Sequence, residues 1–248
     1  SDLGVFALDS VQAIGSDVVF ISTSDDSISE VARSLGGLFR DDAVILHTSG
    51  SLSSAVLAQL RSETRSIGSM HPLVSVSSDA MSGIFHGAYF CIEGDERAIS
   101  TATDIAISLG GIPFSIPSEN KPLYHAAAVT AAGHVTALIG IACELMLKAG
   151  VPADLASTAL MPLVESVVGN IAAKGTAASL TGTYSRGDIT TAQTHIDALE
   201  KHADPMTQEL FIDLAIHSLA IARTNGLDES RASEVENVLR IAHDAVGE

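Results

Sequence analysis

The stretches AVILHTSG (43–50) and RSIGSMHP (65–72) decide the reading of this chain. Each is an apolar run that reads as a buried strand and ends in a polar exit, His47-Thr48-Ser49-Gly50 in the first and Gly68-Ser69-Met70-His71-Pro72 in the second. Between them Leu52, Val56 and Leu60 form an apolar stripe at helical spacing, so the order is strand, helix, strand. In an open α/β sheet, ligands sit at the carboxyl ends of the strands, where the loops face one crevice. A hydroxyl and an imidazole at such a crevice suit the movement of a proton on an oxygenated substrate.

Outward from this pair the first half keeps alternating. DVVFIST (17–23) is a short β-branched strand. Asp25-Asp26-Ser27 reads as a helix cap, followed by Ile28, Val31, Ala32 and Leu35 at helical spacing. Arg65 to Met70 is expected to be a strand that Pro72 stops. AYFCI (88–92) and GIPFSI (111–116) read as further strands, with a helix over 99–109 between them. Continuous apolar strands separated by helices predict a mostly parallel sheet covered on both faces. After Pro117 no strand is evident, and helices are expected over 122–149, 153–173, 189–202, 205–224 and 229–246. The predicted organisation is an α/β domain, 1–117, followed by an all-helical domain, 118–248.

Composition narrows the classes. The formal charge of −17, from 30 acidic and 13 basic residues, is spread along the chain and argues against nucleic acid and anionic membrane as partners. Positive mean hydropathy with 17% charged residues argues against disorder. Cys91 and Cys143 are too few for a disulfide framework and suit a reducing cytoplasm. No secretory signal pattern opens the sequence. Ala126 to Cys143 carries no Asp, Glu, Lys or Arg, yet it is mostly Ala, Gly, Val and Thr and includes His134. It predicts a buried helix or a dimer interface rather than a membrane span. His86, His134, His195, His202, His217 and His243 show no metal-ligand spacing, so no metal site is expected.

SDDSI (24–28), HTSGSLSS (47–54), GSMHPL (68–73), GGIPF (110–114), ENKPLYHAAAV (119–129) and LTGTYSRGD (180–188) occur in an order that resembles a known family. It is the two-domain, Rossmann-like oxidoreductases with a helical C-terminal domain, related to ketopantoate reductase and to the deazaflavin-dependent NADP oxidoreductases. The resemblance implies NADP or NAD as cofactor and a small-molecule substrate. It also implies that Asp17–Thr23 matches the family's fourth strand. No GxGxxG phosphate-binding turn occurs in the sequence, so the first three strands are expected to lie in a preceding part of a longer protein. Val18–Ile21 would then form an exposed apolar sheet edge, and the chain by itself should be poorly soluble as a monomer. Gly133 stands about where the resemblance implies an asparagine amide on the substrate or nicotinamide.

Each candidate residue has a structural alternative. Ser49 could hold a substrate carbonyl or cap the next helix. His71 resembles the histidine that faces the reacting hydroxyl in prephenate dehydrogenases. Lys121 shares a helix face with His125 at i and i+4, one turn from Tyr124, and by resemblance is the acid that protonates the new alkoxide; the alternative is a solvated first-turn lysine. Arg186 could clamp a substrate carboxylate, with His125 and Asp188 alongside, or Asp188 could simply cap the helix at 189 and pair with Arg186. Ser24, Asp25, Thr48 and Ser49 are the expected cofactor contacts. The implied function is NAD(P)-dependent reduction of a small 2-oxo acid or related carbonyl by a cytoplasmic homodimer. The alternative is a non-catalytic dimeric ligand-binding or assembly module without a cofactor site.

Overall fold

The computed structural model describes residues 15–76 and 83–246. By their internal contacts these form two compact units, divided between His134 and Val135.

The first unit is built on five strands, β1 (Val18–Ile21), β2 (Val44–His47), β3 (Ser66–Leu73), β4 (Tyr89–Gly94) and β5 (Ile112–Ser115), which lie side by side in sequence order. All neighbours are parallel except β3 and β4, which run antiparallel, a departure from the mostly parallel pattern of the sequence. Helix α1 (Asp25–Leu35) covers one face and α2 (Glu96–Ser108) the other. Alternation along the strands separates two cores. Val44, Leu46, Met70 and Ile92 pack with Ala98, Ala102 and Ala106 of α2. Ile45 and Ile67 pack with Ile28 and Ala32 of α1 and with Leu57 and Leu60. Among the described residues β1 and β5 are the two edges of the sheet, with Phe20 of β1 at 40% exposure.

Three local expectations are corrected. Residues 54–60 form a 3₁₀ helix rather than an α-helix, because the buried positions are Ser54, Leu57 and Leu60, a period of three instead of four. Pro72 does not stop β3: β2 leaves its neighbour after Ser69, so the strand beyond pairs only with β4, where a missing N–H is tolerated. Asp25 and Asp26 lie in the first turn of α1 rather than ahead of it as a cap, and Ser24 precedes them. In addition, α2 begins at Glu96, one turn earlier than the apolar spacing indicated.

A 3₁₀ turn at Ser118–Asn120 leads into α3 (Lys121–Ala131). The helix expected over 122–149 is broken at Ala132, and α4 (Gly133–Lys148) follows. In the second unit α5 (Ala153–Ser179) runs past the expected end, with a non-helical glycine at Gly175 (φ 79°, ψ 171°). Helices α6 (Ile189–His202), α7 (Pro205–Thr224) and α8 (Glu229–Val246) share a core of Ala192, Ile196, Ile212, Leu219, Val235 and Leu239. The 126–143 segment is not buried within the chain: α3 buries only Lys121, and α4 buries none of its residues. The stretches 118–148 and 153–186 are long and apolar enough to cross a membrane by length and composition.

Candidate functional site

Strand alternation places His47 of β2, Ser69 and His71 of β3, and Cys91 and Glu93 of β4 on one sheet face, with Ser69 opposite Glu93 and His71 opposite Cys91. The first turns of α3 are bonded to the same patch. Lys121 is completely buried, and its Nζ donates to the Ser49 carbonyl (2.9 Å) and to Ser69 Oγ (2.8 Å). No carboxylate forms an ion pair with it among the described residues. Burial lowers its pKa below the ordinary lysine value, a shift that Cys91, Glu93 and Asp25 only partly offset.

His71, Tyr124 and His125 form an aromatic cluster above this ammonium. The His71 ring meets Tyr124 edge-on at 5.7 Å and His125 at 6.2 Å. Its Nδ1 is 2.8 Å from the Tyr124 hydroxyl. Burial, the Lys121 charge and His125 hold the His71 pKa down at about 4, and burial with the Lys121 charge holds His47 at about 4. Both rings are therefore uncharged at neutral pH. Gly50 gives this cluster its room, since a Cβ there would lie 2.6 Å from His125 Cδ2 and 2.8 Å from His71 Nε2.

Ser49 Oγ accepts from the Ser51 N–H (3.2 Å) and the Leu52 N–H (3.0 Å), so its oxygen orders its own loop. Ser51 Oγ donates to the Asp25 carboxylate (2.6 Å), and Thr48 Oγ1 donates to Ser22 Oγ (3.2 Å). Burial raises the Asp25 pKa, but the hydrogen bonds from Ser51 and Ser49 outweigh it and leave the carboxyl below its usual value. Ser24 Oγ is 3.1 Å from Ser27 Oγ at the start of α1. The exits of β1 and β2 are thus joined by a hydroxyl-rich network.

The structure brings together Asp25, Ser49, His71, Lys121 and His125 in the first unit. Arg186 and Asp188 belong to the second. There the Asp188 carboxylate accepts from the Thr191 N–H (3.0 Å) and Thr191 Oγ1 (2.7 Å), the helix-cap role, and forms no ion pair with Arg186.

Sequence reasoning gave no role to Ser69, Tyr124, His47 or Glu93. His47 Nδ1 accepts from the Ser49 N–H (3.2 Å), while the buried Nε2 has no hydrogen-bond partner among the described residues. Buried Glu93 accepts from the Ser54 N–H (2.7 Å), Ser54 Oγ (2.8 Å) and Ser118 Oγ (2.5 Å). It ties the loop after β2 to the turn that delivers Lys121. A carboxylate inside the otherwise apolar run AYFCIEG (88–94) was the signal available.

The uncharged imidazoles of His47 and His71 and the buried Lys121 ammonium thus share one face of the sheet, on β2 and β3. The chain belongs to the family described as Domain of unknown function (DUF2520), whose profile matches residues 88–217, just over half of the sequence. The fold is Rossmann-like. Protein TM1727 from Thermotoga maritima is 27% identical, with a TM-score of 0.66 over 94% of this chain and 81% of that one. The candidate NADP oxidoreductase BF3122 from Bacteroides fragilis is 22% identical, with a TM-score of 0.67 over 83% and 76%. The Plasmodium falciparum pyrroline carboxylate reductase with NADP bound is 13% identical, with a TM-score of 0.54 over 88% and 77%. No curated protein matches the chain.

Proposed function

We propose that the protein is an NAD(P)-dependent oxidoreductase that reduces a small 2-oxo acid or related carbonyl in the manner of ketopantoate reductase, as a cytoplasmic homodimer. The observation that carries this reading is Lys121, fully buried with no carboxylate partner. Placing an ammonium there is costly, and such groups concentrate at sites of chemistry. The fold shared with the Plasmodium reductase, which holds NADP, supports the cofactor.

The residues fit the nicotinamide end of such a cofactor. Ser24, Asp25, Thr48 and Ser49 offer hydroxyls and a carboxylate at the exits of β1 and β2, where Rossmann-like sheets take ligands. No GxGxxG turn stands among the described residues to hold the pyrophosphate. Bound at this crevice, the cofactor supplies hydride. His71 holds the carbonyl oxygen, and Lys121 supplies a proton to it. Two of the Lys121 protons are committed to Ser49 and Ser69, which leaves the third for this task. His71 is the weaker proton source because it is uncharged at neutral pH.

Turnover of NADPH with a panel of 2-oxo acids tests the reading. A substrate should emerge, and Lys121→Ala should cut kcat by about 10²- to 10⁴-fold, the usual worth of a positioned proton donor, with KM little changed. Unchanged turnover would remove Lys121 from the mechanism. The competing reading, a non-catalytic dimeric module, is favoured by Gly133. A Cβ there would meet only Val129 Cγ1 at 3.8 Å, so the backbone leaves room for a Cβ and the position still carries no side-chain amide. Ligand binding without turnover of any tested carbonyl would favour that module.

A further inference from the structure

We propose that Tyr124 is a positioning residue that fixes His71 as the Nε2–H tautomer, so that the imidazole meets its ligand as an uncharged donor to an oxygen atom. The tautomer follows from the hydrogen bond. Of the two partners 2.8 Å apart, one is a phenol hydroxyl and the other an imidazole nitrogen. Burial raises the Tyr124 pKa well above its ordinary value, so the hydroxyl keeps its proton and has one to give. Its other neighbour is the thiol of Cys91, a weak acceptor, whereas the Nδ1 lone pair is a strong one. The phenol therefore donates to Nδ1. A neutral imidazole that accepts at Nδ1 carries its hydrogen on Nε2.

The surroundings hold this geometry. The Tyr124 ring is packed edge-on against Phe114 (6.0 Å) and His71 (5.7 Å), which restrains the hydroxyl in line with Nδ1. Nε2 lies over Gly50 and makes no hydrogen bond among the described residues. The charged or titratable groups facing the ring are Lys121, His125 and Asp25, together with Tyr124 itself and the Cys91 thiol opposite His71 on β4. With Lys121 already carrying a positive charge close by, protonation of both ring nitrogens is opposed, and the ring stays a single-donor group. An Nε2–H at that point selects a carbonyl, carboxylate or alkoxide oxygen and disfavours an ammonium or amide N–H. The assignment of that oxygen to a substrate carbonyl rests on the function proposed above; the tautomer does not.

Long-range proton–nitrogen NMR on protein labelled with ¹⁵N-histidine at neutral pH reads the tautomer without any turnover. His71 is assigned by loss of its signals in His71→Gln. The expected spectrum shows a proton-bearing Nε2 and a bare Nδ1, and in Tyr124→Phe the same ring moves toward a mixture of tautomers. Tyr124→Phe should lower kcat about tenfold, with KM little changed. His71→Gln, whose amide N–H can stand near Nε2–H, should retain more activity than His71→Ala. A proton on Nδ1 in the unaltered protein overturns the proposal, as does a His71 tautomer unmoved by Tyr124→Phe. If the expected tautomer is found and lost on removal of the hydroxyl while no carbonyl is reduced, the tautomer stands and the enzymatic reading fails.

Discussion

At Gly50 a single hydrogen in place of a methyl group decides whether two imidazoles can share a site. A Cβ would come within 2.6 Å of one ring and 2.8 Å of the other, too close for either to stay. Gly50→Ala is therefore expected to lower kcat by at least tenfold while costing about 1–3 kcal/mol of stability, as overpacking does; activity and urea unfolding of the same sample separate the two effects. His47, fully buried, carries a pH signature. Its pKa is near 4 in the folded chain against an ordinary 6.5. Between those values the unfolded chain binds a proton that the folded chain refuses, so stability falls as pH falls, by about 1.4 kcal/mol per pH unit, and above 6.5 this residue adds no slope. Urea midpoints at pH 7, 5.5 and 4.5 should show the loss, and His47→Asn should remove its own share of the slope and leave that of His71, whose pKa is also held at about 4. Ser49, His71 and Lys121 stood out in the sequence because each was read at a strand exit or a helix start, although the structure places His71 within β3. Tyr124 and Ser69 were not, because their bonds join residues 53 and 52 positions apart and leave no mark on local pattern.

Single elements show what joins these residues. Strand β4 runs antiparallel to β3 and thereby sets Glu93 opposite Ser69, where one carboxylate gathers donors from two distant turns. Glu93→Ala strips Ser54 N–H and two hydroxyls of their acceptor, and a buried donor left unpaired costs about 1–3 kcal/mol. A loss of at least about 2 kcal/mol in denaturant unfolding is expected, with Glu93→Gln losing less because the amide oxygen still accepts from Ser54 N–H; equal losses would show that the hydrogen bonds are not what Glu93 contributes. Periodicity revealed the strands and most helices. It misjudged residues 54–60, where apolar Leu52, Val56 and Leu60 suggested a four-residue spacing and the chain instead buries every third residue. It also overrated Pro72, because a proline stops a strand only where its missing N–H is needed, and pairing partners are not local information.

The whole molecule leaves its most apolar helices uncovered. Leu163 is 62% exposed and Val168 57%, and α4 has no buried residue at all. The sequence texture of 126–143 was read as either buried or interfacial, and burial within the chain is not what the structure shows. A homodimer that covers α4 and α5 is expected, and light scattering after gel filtration should give twice the 25.6 kDa chain mass. Leu163→Glu with Val168→Glu should shift the protein to monomer or aggregate, and an unaltered dimer would place the interface elsewhere. What composition could convey was a net charge of −17 spread along the chain. What it could not convey was which apolar faces pair between copies, since that depends on surfaces assembled from distant segments.

The measurement to make is a fluorescence titration of the natural gene product with NADPH, repeated on Asp25→Ala and on Lys121→Met. Saturable micromolar binding, weakened at least tenfold by the first substitution and little altered by the second, is the expected result. It would place the cofactor at the exits of β1 and β2 and reserve the buried lysine for the proton. No binding of NADPH or NADH by the natural protein would contradict the oxidoreductase reading and leave the dimeric module in its place.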